Sequence, residues 1–335
     1  MRGIRVILLA VLLAVTMILP VYAQAPSFAG KTVTIIVGYP PGGGYDLISR
    51  IVSRHLGKFL PGTPAVIVQN MPGANSIIAA NHVYNVAKPD GVTIALFNRN
   101  LILGQLVQVD GIRFDMTKFA WIGSPASETT ILAIRADLPF RTAADLRAAN
   151  PEVIVGATGP GASTYDFPLL LKAFAGFKIR IISGYPSSGE IMLAIERKEV
   201  DGRAGSYSSI KPFIDRGLVR PIVRGHASVP AIAQLPVDEN LVTDERAKQV
   251  MRLRSVPELI GRPFVMPPGT PAEFVTAFRE AFRRMTQDKE FEAEAERAGF
   301  EINYVTGDVA LRTIREVLTA PADVVKVFRQ FFQFN

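Results

Sequence analysis

Twice along this chain, short β-branched runs alternate with stretches of helical period, and that alternation restricts the fold more than any other feature. Residues 31–37, 65–69 and 93–97 read as strands, with helices between them over 46–60 and 74–87. The first helix sets Leu47, Ile48, Ile51, Val52, Leu56 and Phe59 on one broad face. Strand, helix, strand, helix, strand is a doubly wound α/β unit with a parallel sheet. A second unit repeats the order, with strands over 153–157, 179–182 and 200–205 and helices over 165–174 and 188–197. The last quarter is mainly helical. There Thr270-Pro271-Ala272-Glu273 offers a capping threonine, a first-turn proline and a glutamate at the capping-box position. At 335 residues the chain is long enough for two lobes of ordinary size.

The loops between these elements are unusual. After the first strand, Pro40 and Pro41 stiffen the chain, and Gly42, Gly43 and Gly44 permit close approach of backbone just where a helix begins. A helix N-terminus presents free N–H groups and the positive end of its dipole, a geometry that suits an anion. The loop is not a Walker A motif, because no Gly-Lys-Ser/Thr follows, and Leu47 occupies the third glycine position of G-x-G-x-x-G. Met71-Pro72-Gly73-Ala74-Asn75-Ser76 repeats the arrangement after the second strand, and residues 156–165 repeat it in the second unit. Loops at the carboxyl ends of parallel strands share one edge, where α/β sheets bind ligands. Three such loops predict a cleft shared by the two units, although each alone is also a plausible tight turn.

The first 23 residues form a separate segment. Arg2 and Arg5 precede an apolar run over 6–19, and Val21-Tyr22-Ala23 ends it with a small residue, the pattern of a cleavable signal peptide. The run is shorter than the roughly 20 residues of a membrane-spanning helix, which disfavours an uncleaved anchor. The absence of cysteine excludes a lipoprotein anchor, a disulfide scaffold, thiolate metal sites and a cysteine nucleophile. His55, His82 and His226 are scattered without ligand spacing, so neither a metal nor another cofactor is expected. The net charge is +7 at pH 7, and +5 once Arg2 and Arg5 leave with the signal. Without a basic cluster this indicates no nucleic-acid surface; it suits a small anion or is ordinary surface charge.

The motifs VGYPPGGGYDLISR (37–50), VQNMPGANS (68–76) and KPDGVTIAL (88–96) together resemble the Bug family of periplasmic solute-binding proteins, the receptors of tripartite tricarboxylate transporters. The likeness continues through DLPFRTAADL (137–146), residues 156–163 and PPGTP (267–271), covering nearly the whole mature chain. It implies a two-lobed α/β class II periplasmic-binding-protein fold, each lobe a mixed sheet flanked by helices. The expected organisation is a signal peptide (1–23), an N-terminal extension (24–30), a first lobe (31–127 with a helical second segment 226–335) and a second lobe (128–225). The implied function is binding of a small mono- or dicarboxylate between the lobes, through loop backbone and bridging waters, by a periplasmic monomer that delivers it to membrane transporter subunits. Departures fall in the second unit: no histidine follows Ser163, and the family's V-P-Y-x-G and Gly-Gln-Val-Asp stretches are replaced by residues 183–189 and 199–207.

The candidate ligand-binding residues are Tyr39, Pro40, Gly43, Gly44, Gly73, Ala74, Ser76, Ser163, Thr164, Tyr185, Arg203 and Tyr207. Valine at Gly43 or Gly73 is expected to abolish binding while the chain still folds. Tyr39, Ser76, Ser163 and Thr164 are hydroxyl donors beside the loops; Tyr185 and Tyr207 either line the cleft or sit in the core with the hydroxyl at its rim. Arg203 can grip a carboxylate bidentately, though a salt bridge to a nearby acid is the slightly favoured alternative. Asp46, at a helix start, reads as a structural cap rather than a general base. Two other functions compete: a ligand-loaded partner of an extracytoplasmic sensor, and an enzyme on the same fold. The enzyme reading lacks a Gly-x-Ser-x-Gly elbow and any histidine near Ser76 or Ser163.

Overall fold

The computed structural model describes residues 26–332 except residue 228. The predicted signal peptide lies outside the described residues. In the first unit β1 (Thr32–Val37) is followed by α1 (Gly44–Leu56), β2 (Ala65–Asn70), a short 3₁₀ turn, α2 (Ile77–Asn85), β3 (Thr93–Leu96) and α3 (Leu101–Leu106). β1 lies parallel between β2 and β3, so their carboxyl ends share one edge. α1 covers one sheet face because Ile48, Ile51, Val52 and Leu56 recur at helical spacing; they pack with Phe264, Phe278 and Phe282. Each such side chain contributes about 1.5–3 kcal/mol when fully buried. Leu47, expected on that face, is 40% exposed, because it stands one step beyond Ile51 at the stripe's edge. On the opposite sheet face Ala79, Ala80 and Val83 of α2 join Phe97 and Trp121.

β4 (Ala120–Ser124) belongs to the same sheet, and β5 (Thr130–Arg135) begins the other. The second unit then runs α4 (Ala143–Ala148), β6 (Val153–Gly156), α5 (Ser163–Ala175), β7 (Ile179–Ile182), α6 (Ser188–Glu196), β8 (Gly202–Ser206), α7 (Tyr207–Asp215) and β9 (Val219–Arg224). β6 is parallel to β7 and β8, and β5 is antiparallel to β8 and β9. After α8 (Glu245–Ser255) the chain returns to the first sheet with β10 (Phe264–Met266), inserted antiparallel between β3 and β4. α9 (Ala272–Met285), α10 (Lys289–Arg297), β11 (Val305–Thr306), α11 (Gly307–Leu318) and α12 (Ala322–Phe331) complete the chain. The result is two mixed sheets, ordered β11-β4-β10-β3-β1-β2 and β7-β6-β8-β5-β9, each flanked by helices: a two-lobed α/β fold. α12 closes against the second unit, where Phe331 meets Phe174 of α5 at 4.9 Å. No helix among the described residues is long and apolar enough to cross a membrane.

Two local readings change. α9 has Pro271 rather than Thr270 at its N-cap, without a side-chain capping bond; the Thr270 hydroxyl donates instead to the Pro267 carbonyl, at 2.8 Å. α5 starts at Ser163 and carries Pro168 inside it, since a proline this near the start costs only the bond to the Thr164 carbonyl.

Candidate functional site

The opening glycine loop is held from below by Asp46. Its carboxylate accepts from the Gly42 N–H at 3.1 Å, from Arg50 Nε at 2.9 Å and from Asn70 Nδ2 at 2.9 Å. Burial opposes its charge, but the bonds from Arg50, Asn70 and Gly42 outweigh burial and hold the carboxyl below its ordinary value. Asn70 Nδ2 also donates to the Tyr39 carbonyl at 2.8 Å, fixing the loop's entry. Asp46 thus secures the loop and is not the helix cap expected from its position. It leaves the first turn of α1 without a side-chain cap, because the N-cap residue is Gly43.

A cleft of about 550 Å³, counting its open mouth, lies between the two sheets. Tyr39, Gly43, Gly44, Ser163, Thr164 and Arg203, from the predicted set, all line it. The amino ends of α1, α5 and α6 meet there, with Ser187 and Ser188 supplied by α6. Tyr39 stacks on Tyr45 at 4.9 Å, and burial pushes its phenol far above the ordinary value, so it stays a neutral donor. Thr164 Oγ1 is engaged with Thr158, accepting from its N–H at 3.1 Å and sharing a 2.8 Å bond with its hydroxyl.

The other predicted residues sit elsewhere. Pro40, Gly73, Ala74 and Tyr185 line an adjoining outer groove, together with Gly159 and Pro160. Along this second glycine loop Gly73, Ala74, Asn75 and Ser76 all have positive φ (135°, 45°, 48° and 80°), and Gly73 and Ala74 face this groove rather than the cleft. Glycine suits position 73 because its φ of +135° is one that L side chains rarely adopt; a Cβ there would also meet Ile78 Cδ1, the exposed end of a side chain that can move. Ser76 is fully buried, and its hydroxyl donates to the Gly38 carbonyl at 3.0 Å, tying the first two loops together. Tyr207 lines a separate small pocket with Phe300 and Glu301.

Arg203 has no carboxylate within ion-pair distance among the described residues, which corrects the expectation of a salt bridge. Its Nη2 donates to the Ser209 carbonyl at 3.0 Å and hydroxyl at 2.9 Å, and its Nε points at Met192 Sδ. Burial, and secondly the neighbouring Arg262, bring its guanidinium down to about 9, so it remains charged at neutral pH. Two further arginines line the cleft, and the sequence reading missed both. Arg262 donates from Nε to Glu128 Oε1 at 2.7 Å and from Nη2 to Ser208 Oγ at 3.2 Å, and lies 4.7 Å over the Tyr45 ring. Arg99 donates from Nη1 and Nη2 to Ser206 Oγ, both at 3.3 Å. One turn, 206–209, therefore holds three arginines on three serines.

The segment 98–100 also joins the units: Asn98 Nδ2 donates to the Gly161 carbonyl at 2.9 Å and Asn100 Nδ2 to Ser163 Oγ at 3.3 Å. Asn75 Nδ2 adds a bond to the Pro160 carbonyl. The available signal was a polar triplet, Asn98-Arg99-Asn100, between a buried strand and an apolar helix. No histidine bonds to Ser76 or Ser163 among the described residues. Away from the cleft, ligand atoms of His55, Asp288 and Glu290 come within 4.8 Å of one another. Lys58 Nζ already pairs with both carboxylates there, at 3.4 and 2.8 Å.

These features match a known group of proteins. The sequence model of the tripartite tricarboxylate transporter family receptor covers residues 48–327. A curated relative, the "UPF0065 protein in gbd 5'region" of Cupriavidus necator, is 30% identical over 151 residues, 45% of this chain and 43% of its own length. The chain thus spans less than half the length of that relative. Among solved structures, MatC from Rhodopseudomonas palustris with bound malate superposes with a TM-score of 0.69 at 19% identity, covering 88% of this chain and 98% of that one. R. palustris Rpa4515 with adipate gives 0.69 at 18% identity, covering 89% and 97%. Identities this low speak for the fold, and the family match over residues 48–327 decides membership: the chain belongs to the receptors of the tripartite tricarboxylate transporter family.

Proposed function

We propose that this chain is a periplasmic solute receptor that binds a small organic carboxylate between a first lobe, 31–127 with 226–335, and a second lobe, 128–225. It works as a monomer, exported by a cleaved signal peptide, hands its ligand to a membrane transporter and catalyses no reaction. The observation that carries this reading is the meeting of three helix amino ends and Arg203 at one cleft between the sheets. Backbone N–H groups at the amino ends of α1 and α5, whose N-caps Gly43 and Ala162 carry no capping side chain, are suited to a carboxylate. Structural relatives hold malate and adipate, two small carboxylates.

A thermal-shift screen of aliphatic and aromatic mono- and dicarboxylates tests it, since a ligand at 100 times its Kd adds about 2.7 kcal/mol of stability. The ligand should be recovered chemically unchanged. A flat screen, or conversion of the ligand, would overturn the reading.

A further inference from the structure

Two guanidinium groups enter the cleft from opposite sheets, and among the described residues neither forms an ion pair with a carboxylate. Arg99 follows β3 of the first sheet, and Arg203 lies in β8 of the second; each is only 2% exposed. Arg99 spends its Nη groups on neutral acceptors at long range, Ser206 Oγ at 3.3 Å and the Gly261 carbonyl at 3.4 Å, while its buried Nε has no hydrogen-bond partner. Among the described residues Arg203 likewise bonds only a thioether, a hydroxyl and carbonyls. Glu258 and Glu128 favour the charge of Arg99 from a distance, but each is bonded to another guanidinium, Glu128 to Arg262 and Glu258 to Arg254, at 2.7 Å. Burying a charge is costly unless a counter-charge accompanies it. Two such charges facing one cavity call for two negative charges on whatever occupies it.

We propose that Arg99 and Arg203 form a side-chain clamp that grips the ligand from both sheets, so that the cleft selects organic anions with two negative charges over those with one. The clamp rests on the reading of the cleft as a carboxylate receptor site. It differs from a purely backbone cradle, which offers no net charge to distinguish a dicarboxylate from its monoamide. The serines at 206 and 209 set the two forks, and direct guanidinium–carboxylate bonds supply the discrimination.

Isothermal titration of the mature protein with matched pairs tests the clamp: succinate against succinamate, and adipate against its monoamide. At fixed pH at least one diacid should bind about 10- to 100-fold more tightly than its monoamide, the scale of a charged hydrogen bond. Arg99→Met and Arg203→Met should each bring that ratio towards one, while Arg203→Lys keeps part of it; circular dichroism checks folding. The wild-type ratio stands as a test even if the variants misfold. Equal affinity for diacid and monoamide, or a ratio retained in both methionine variants, overturns the clamp and leaves the receptor reading intact. No binding of any mono- or dicarboxylate overturns both together.

Discussion

Arg99 reaches across from the first sheet to Ser206 at the end of β8 in the second, with both Nη atoms 3.3 Å from the serine oxygen. Asn98 makes a parallel crossing to Gly161 at 2.9 Å. These bonds join one sheet's unit to the other's, and if they hold the lobes together their loss should open the ligand-free protein. A charged donor on a neutral acceptor is worth about 1.5–3 kcal/mol when its partner would otherwise stay unsatisfied. Asn98→Ala combined with Ser206→Ala should enlarge the ligand-free radius of gyration in small-angle scattering and weaken ligand binding. Identical ligand-free curves for wild type and variant would show that these crossings do not hold the lobes.

Asp46 makes acid stability a second test. Its carboxyl is held below the ordinary 3.8 in the folded chain and titrates normally when unfolded. The unfolded chain therefore takes up the proton first as pH falls. The contribution of Asp46 is fully present above about pH 4 and disappears as pH drops through the lowered folded value. Asp46→Asn should lower the urea midpoint at pH 7 and narrow its gap from wild type as pH is taken progressively below 3.8. A gap that stays constant across this range would mean that the charge of Asp46 contributes nothing.

The parts legible in the sequence were those encoded locally. β1 announced itself by a β-branched run and α1 by Ile48, Ile51, Val52 and Leu56 at helical spacing, because burial of one face is written into consecutive residues. The first glycine loop was legible for the same reason. Ser76 misled because a hydroxyl beside a glycine loop serves equally a ligand or a carbonyl, and only the left-handed backbone around it sends it to Gly38. The arginine cluster was out of reach: Arg99, Arg203 and Arg262 are brought together by sheet order, and nothing near Arg99 in the chain points to Ser206. Arg203 was readable as a candidate from its strand position, but the absence of an acid beside it is a fact of three dimensions.

The three consecutive glycines at 42–44 serve three different purposes, and single substitutions should separate them. Gly42 has φ of +91° and open space around its missing Cβ, so Gly42→Ala should cost about 1–2 kcal/mol of stability and leave affinity unchanged. At Gly43 a Cβ would lie 3.3 Å from Ser188 Oγ across the cleft. A valine branch has to displace that hydroxyl or hold the lobes apart, so Gly43→Val should fold and weaken binding. Gly44 begins α1 with ordinary helical backbone, which alanine accepts, but its Cβ would stand 2.7 Å from Arg262 Nη2 and 2.9 Å from Nη1. That guanidinium is pinned by Glu128 and by the Tyr45 ring and has little freedom to yield. Gly44→Ala should therefore weaken the ligand found by thermal-shift screening about tenfold, roughly the loss of one charge-assisted bond. Urea midpoints and isothermal titration on the three variants give stability and affinity separately. If Gly43→Val and Gly44→Ala bind as wild type does, the glycines serve the turn alone, and neither the first-turn backbone of α1 nor Arg262 has a place in recognition.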